Sequence, residues 1–162
     1  MKKNYEDFSL GFALFDALPV IFFSASMILI AIKFKNPLFI TGAILCTCAG
    51  LGKVLWKLLI AGTKKDYFWL NRQMRFLMPA GFLLMILGLI TGMARSDWNA
   101  LIQSVFSIPA VIFFGITVIG MICMSVFAFK LDPTKSRSNW IEQITNAIAQ
   151  GCLFVGVLFC IL

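Results

Sequence analysis

The chain has no histidine and only 7 acidic residues, and charged residues of either sign make up 13% of it. Without imidazole, zinc and haem lose their commonest protein ligand, and proton relays lose their usual carrier at neutral pH. The cysteines do not fill the gap. Cys46, Cys48, Cys123, Cys152 and Cys160 all lie in apolar runs, and no C-x-x-C occurs. Cys46 and Cys48 point about 200° apart on a helix. They read as small hydrophobes at helix contacts, and no metal or cofactor is expected. Also absent are carboxylate pairs at helical spacing, the nucleophile elbow, H-E-x-x-H and a phosphate-binding loop. The balance is against an enzyme. Lipid-modifying chemistry, the third-ranked alternative, needs Asp16, Lys53 and Glu142 to converge near the head groups.

What is abundant is apolar surface. Hydrophobic residues are 60% of the 162 positions, with a mean hydropathy of +0.94. Soluble domains are about 45–50% apolar and about 25% charged. A soluble fold this small leaves too much surface in water to hide such a composition. Bilayer hydrocarbon removes the difficulty. Five apolar runs of roughly bilayer length are expected to be transmembrane helices over about 8–32, 37–61, 76–93, 101–129 and 140–162. The expected fold is an all-α polytopic bundle forming one membrane domain over 1–162. The first run follows Lys2 and Lys3 like a signal peptide, but Asp16 and Pro19 interrupt it and apolar character continues to Ile32. An uncleaved first span is expected.

The formal charge of +7 does not indicate a nucleic-acid partner, because the basic residues are not gathered on one water-exposed face. They sit in the gaps between apolar runs and report topology. Nine fall on the N-terminal side (Lys2, Lys3, Lys64, Lys65, Arg72, Arg75, Lys130, Lys135, Arg137) and three on the other (Lys33, Lys35, Arg95). That asymmetry predicts a multi-pass protein of the cell membrane with the N-terminus cytoplasmic and the C-terminus outside. Tyr5, Trp56, Tyr67, Trp69, Trp98 and Trp140 should mark the interfaces. In the segment from Gly62 to Arg75, basic and aromatic residues interleave. It is read either as an ordinary inner loop or as a contact to anionic lipid head groups.

Ionisable side chains within spans are costly, about 2.5–3.5 kcal/mol each on insertion scales. Asp16 and Lys53 each lie eight residues from their estimated inner helix ends, Phe8 and Ala61. Both are then about 12 Å deep, level for a direct ion pair. Snorkelling is the alternative for Lys53 and the expectation for Lys57. Glu142, Asn146 and Gln150 follow at i, i+4, i+8 and share a helix face, flanked by Gln143 and Thr145. They form either a polar cavity wall or interhelical hydrogen bonds. Gly88-x-x-x-Gly92 and the stripe Gly42, Cys46, Gly50 read as close-approach surfaces.

Leu18-Pro-Val-Ile-Phe-Phe-Ser24 resembles Ile108-Pro-Ala-Val-Ile-Phe-Phe-Gly115, which admits an inverted repeat around a central third helix. Chance similarity in so Phe- and Ile-rich a chain is the favoured account. The leading functional expectation is transport or binding of a small polar solute through Asp16, Lys53, Glu142, Asn146 and Gln150. The alternative is an accessory subunit that only holds a membrane partner or a second copy of itself.

Overall fold

The computed structural model describes residues 9–63, 65, 67–92, 98–132 and 135–161. Those residues form helices joined by short connections, without strands: α1 (Leu10–Phe15), α2 (Ala17–Phe34), α3 (Pro37–Thr63), α4 (Phe68–Arg72), α5 (Met74–Gly92), α6 (Trp98–Val105), α7 (Ala110–Lys130) and α8 (Ser136–Ile161). Five of the resulting segments are long and apolar enough to cross a membrane: Leu10–Phe34, Pro37–Thr63, Phe68–Gly92, Ala110–Phe127 and Ser136–Ile161.

Two boundaries differ from the sequence reading. The third span begins at Phe68 rather than Phe76, because Asn71, Arg72 and Arg75 are helical although they lower local hydropathy, with only Gln73 as a turn between α4 and α5. The expected inner loop is therefore shorter and ends at Tyr67. The fourth apolar run is two helices, α6 and α7, separated between Val105 and Ala110. Pro109 has no N–H to continue a helix and stands just before the first residue of α7. Ser107 Oγ turns back to donate to Ser104 O at 2.6 Å.

Hydrophobicity places these helices in lipid, and small residues then set which of them meet. A Cβ on Gly42 of α3 would lie 2.5 Å from Gly81 O of α5, and one on Gly81 would lie 2.5 Å from Cys46 Sγ. Gly88 of α5 rests on the backbone of Phe39. On the other side, Gly120 of α7 faces Ala149 of α8, and Thr117 Oγ1 donates across to Ala149 O at 3.1 Å. Phe22 of α2 meets Phe154 and Gly151 of α8. Ser24 and Thr47 are hydrogen-bonded at 3.1 Å between α2 and α3. The spans thus lie in the order α5, α3, α2, α8, α7. The first span is central and the third is at an edge, which is not the arrangement of a repeat organised around the third helix. Between these helices sits one apolar core of Met27, Phe39, Ala43, Cys46 and Met85, with Leu153 of α8 packed against it.

The α2–α3 turn shows how locally the chain is determined. Lys35 closes α2 in the left-handed region at φ 46°, a conformation that costs a residue with a Cβ about 1–2 kcal/mol. Asn36 Oδ1 accepts from Leu38 N at 2.9 Å and caps α3, while its Nδ2 donates to Thr91 Oγ1 of α5 at 3.1 Å. Lys35→Gly is expected to raise unfolding stability by about 1 kcal/mol. Asn36→Ala should lower it by about 1–2 kcal/mol. Thermal unfolding of the purified protein in detergent checks both signs.

Candidate functional site

Asp16 stands where α1 passes into α2. Pro19, three residues on, cannot donate to the Phe15 carbonyl, and the helix is interrupted at Asp16. Its carboxylate Oδ2 lies 3.0 Å from Lys57 Nζ of α3, with both side chains about 5% exposed (6% and 5%). The contact is an ion pair without aligned hydrogen-bond geometry at Oδ2. Lys57 Nζ also sits over the Phe12 ring, 4.8 Å from its centroid, a cation–π contact. Phe12 and Phe15 in turn meet the Trp140 ring of α8, at 5.2 and 5.4 Å. One lysine is thereby tied to three spans.

This corrects the expected Asp16–Lys53 pair. The first span starts at Leu10 and α3 runs on to Thr63, so Asp16 and Lys57 are each six residues from a helix end. Depths estimated from Phe8 and Ala61 pointed one turn too far along α3. The expected snorkelling of Lys57 is also overturned: the residue is 5% exposed and held inside the bundle. Trp56, read as an interfacial anchor, is 4% exposed in the interior. Trp69 and Tyr67 are exposed near a helix end. Lys2, Lys3, Tyr5, Lys64 and Arg95 lie outside the described residues, as does the side chain of Trp98.

Lys53 remains half-buried, with no hydrogen bond or ion pair among the described residues. The same holds for Glu142 of α8. Helix phase turns them to different neighbours. Lys53 lies seven residues after Cys46 and eleven after Gly42, on the line of α3 that meets Gly81 of α5. Glu142 lies seven residues before Ala149, on the line of α8 that faces Gly120 of α7, and about 200° around the helix from Trp140, which meets Phe12 and Phe15. Both stand toward the end of the bundle shared by Leu10, Thr63 and Ser136. Asn146, one turn from Glu142, is half-buried there too.

Gln150 donates from Nε2 to Met121 Sδ at 3.6 Å, but its Oε1 is buried without a partner. The flanking residue Gln143 proves more buried than the stripe itself. It is 3% exposed, and its Oε1 also has no partner. Its spacing of three from Trp140 was the available signal: Trp140 faces α1, and Gln143 turns back toward the same interior. A separate crevice of about 200 Å³ between α2 and α3 is apolar, lined by Met27, Ile28, Ala43 and Ile44 with Ser24 and Thr47 at its wall. Its lining suits hydrocarbon rather than a polar solute. Among the described residues no cluster of metal-ligating side chains occurs.

The site thus separates into a closed part and an unsatisfied part: a buried ion pair joining two spans and linked to α8 through Phe12 and Phe15, and, toward the same end, a lysine, a glutamate and two amide oxygens without partners among the described residues. The chain matches no protein-family profile, and no curated protein or solved structure resembles it significantly.

Proposed function

We propose that this is a small multi-pass protein of the cell membrane that binds a small polar ligand through polar side chains toward one end of its helix row. In this reading Asp16–Lys57 is structural, the α8 stripe Glu142, Asn146 and Gln150 faces the ligand, and Lys53 of α3 is a further polar group at the same end. The observation that carries it is that Glu142 of α8 and Lys53 of α3 are half-buried charged groups with no ion pair or hydrogen bond among the described residues. Within a span such groups do not face lipid tails; they face protein, water or a ligand. The excess of basic residues in the gaps at this end supports reading it as the cytoplasmic one, with the N-terminus inside and anionic head groups as neighbours.

The accessory-subunit reading has its own support in the closed Asp16–Lys57 contact, a carboxylate used to hold helices together. There a partner helix or a second copy would cover the polar side. Asn146→Cys separates the two. Under the binding reading, a membrane-impermeant maleimide added from the cytoplasmic side modifies residue 146 in native membranes, read by peptide mass spectrometry against the wild-type cysteines. Protection in membranes that is lost on detergent extraction supports a covering partner and overturns the binding reading.

A further inference from the structure

The crevice between α2 and α3 is closed at both ends and open along one side. At one end Ser24 and Thr47 are hydrogen-bonded across it at 3.1 Å, and just beyond them a Cβ on Gly50 would lie 3.0 Å from Val20 Cγ1. At the other end Lys35 and Asn36 join the two helices. Between these ends the helices stand far enough apart to leave about 200 Å³. Met27 and Ala43 floor this space and belong to the apolar core, whereas Ile28, Ile40 and Ile44 rim it and are exposed. It therefore opens sideways, into whatever surrounds the row.

The turn adds a charge. Lys35 N donates to the carbonyl of Ala31, which lines the crevice, at 2.8 Å. On the other wall Ile40 N donates to Asn36 O at 3.0 Å, and the Asn36 side chain ties the turn to Thr91 of α5. The Lys35 side chain is exposed, and its ammonium has no ion pair or hydrogen bond among the described residues. Turn geometry alone favours Gly or Asn at a left-handed helix cap. Topology does not account for the lysine either, since it stands at the end with three basic residues against nine.

We propose that the crevice holds one acyl chain of an anionic glycerophospholipid whose phosphate pairs with the Lys35 ammonium. This site lies at the opposite end of the row from the polar stripe and does not rest on the polar-ligand reading. Two kinds of occupant are available to an apolar crevice that opens into hydrocarbon, a lipid chain or another helix. A helix with its side chains is about 10–12 Å across, too wide for a space of about 200 Å³ between two helices joined at a tight turn. An apolar helix would also leave the Lys35 ammonium without a counter-charge. A phospholipid supplies both halves. Lys35 stands four residues, about 6 Å, beyond Ala31, and Ser24 lies about 10 Å to the other side of it. One molecule thus reaches from the charged turn to the Ser24–Thr47 closure. A lipid of net negative charge is preferred, because the choline of phosphatidylcholine repels the ammonium.

The test places phosphatidylglycerol carrying a diazirine in one acyl chain with the full chain in phosphatidylcholine nanodiscs. After photolysis, peptide mass spectrometry locates the adducts. They are expected to concentrate on residues 28–31 and 40–48. Lys35→Gln, an exposed substitution that should fold as wild type does, should lower that yield about fivefold, the effect of one lysine at an anionic surface. Ala31→Leu, which fills the space, should lower it at least as far. Labelling of the exposed Ile112 and Ile119 of α7 should stay unchanged in both. The matching phosphatidylcholine probe should label the crevice about fivefold less. Labelling no denser in the crevice than on α7, a yield unchanged in Lys35→Gln, or an equal yield from the phosphatidylcholine probe overturns the proposal. An unlabelled crevice in which Cys48, exposed at its edge, forms a disulfide between two copies under copper phenanthroline makes the occupant a second copy and overturns the lipid.

Discussion

Asp16→Asn is expected to lower the unfolding free energy by about 3–5 kcal/mol, because it leaves the Lys57 ammonium buried without its counter-charge. Lys57→Met should cost a similar amount by stranding the carboxylate. The two losses should not add. In the double variant Asp16→Asn/Lys57→Met no uncompensated charge remains, and stability should return to within about 1 kcal/mol of wild type or exceed it. The argument rests on burial: both side chains are about 5% exposed, against helices in hydrocarbon. An exposed pair would be worth only about 0–1 kcal/mol. Reversible unfolding in mixed micelles, or steric trapping in bicelles, gives the three values. Singles costing less than about 1 kcal/mol would show that water reaches the pair. Lys53→Met serves as the control, since Lys53 has no ion-pair partner among the described residues and its loss should move stability little.

The second large effect is expected at the α3–α5 seam. A Cβ at residue 42 would meet Gly81 O at 2.5 Å and Met85 N at 2.7 Å, and backbone atoms cannot swing aside as a side chain can. Gly42→Leu should therefore force α5 away from α3, costing about 3 kcal/mol or more, at or beyond the top of the usual overpacking range. Gly81→Leu should do the same from the other face. Loss of that contact would also open the core, to which α5 contributes Met85. Gly115→Ala is the informative contrast. Nothing lies within 4 Å of its added Cβ, so it should be neutral or stabilising by up to about 1 kcal/mol through helix propensity. Were Gly42→Leu to behave like Gly115→Ala, α3 and α5 would not be in contact in the membrane.

These expectations share one physical origin. In lipid, apolar side chains gain little by meeting one another, so association falls to close backbone approach and to polar groups that must avoid hydrocarbon. Gly42 and Gly88 announced the first device in their spacing. Asp16 announced the second, since a short carboxylate deep in a span has to find a partner.

The sequence by itself determined the elements: five apolar segments of bilayer length, separated by charged gaps, with an intramembrane carboxylate and a polar stripe on the last helix. Hydropathy is additive along the chain, so a window of residues suffices to read it. Only the tertiary structure decided what depends on register between helices. It chose Lys57 over Lys53 for Asp16, because ends displaced by two residues shift which lysine is level. It buried Trp56 and Gln143, put the first span at the centre of the row, and left Lys53 and Glu142 half-buried without ion-pair partners among the described residues. Each of these turns on about 100° of helix phase and 1.5 Å of rise per residue, accumulated over two separate helices. No single stretch of sequence records their sum.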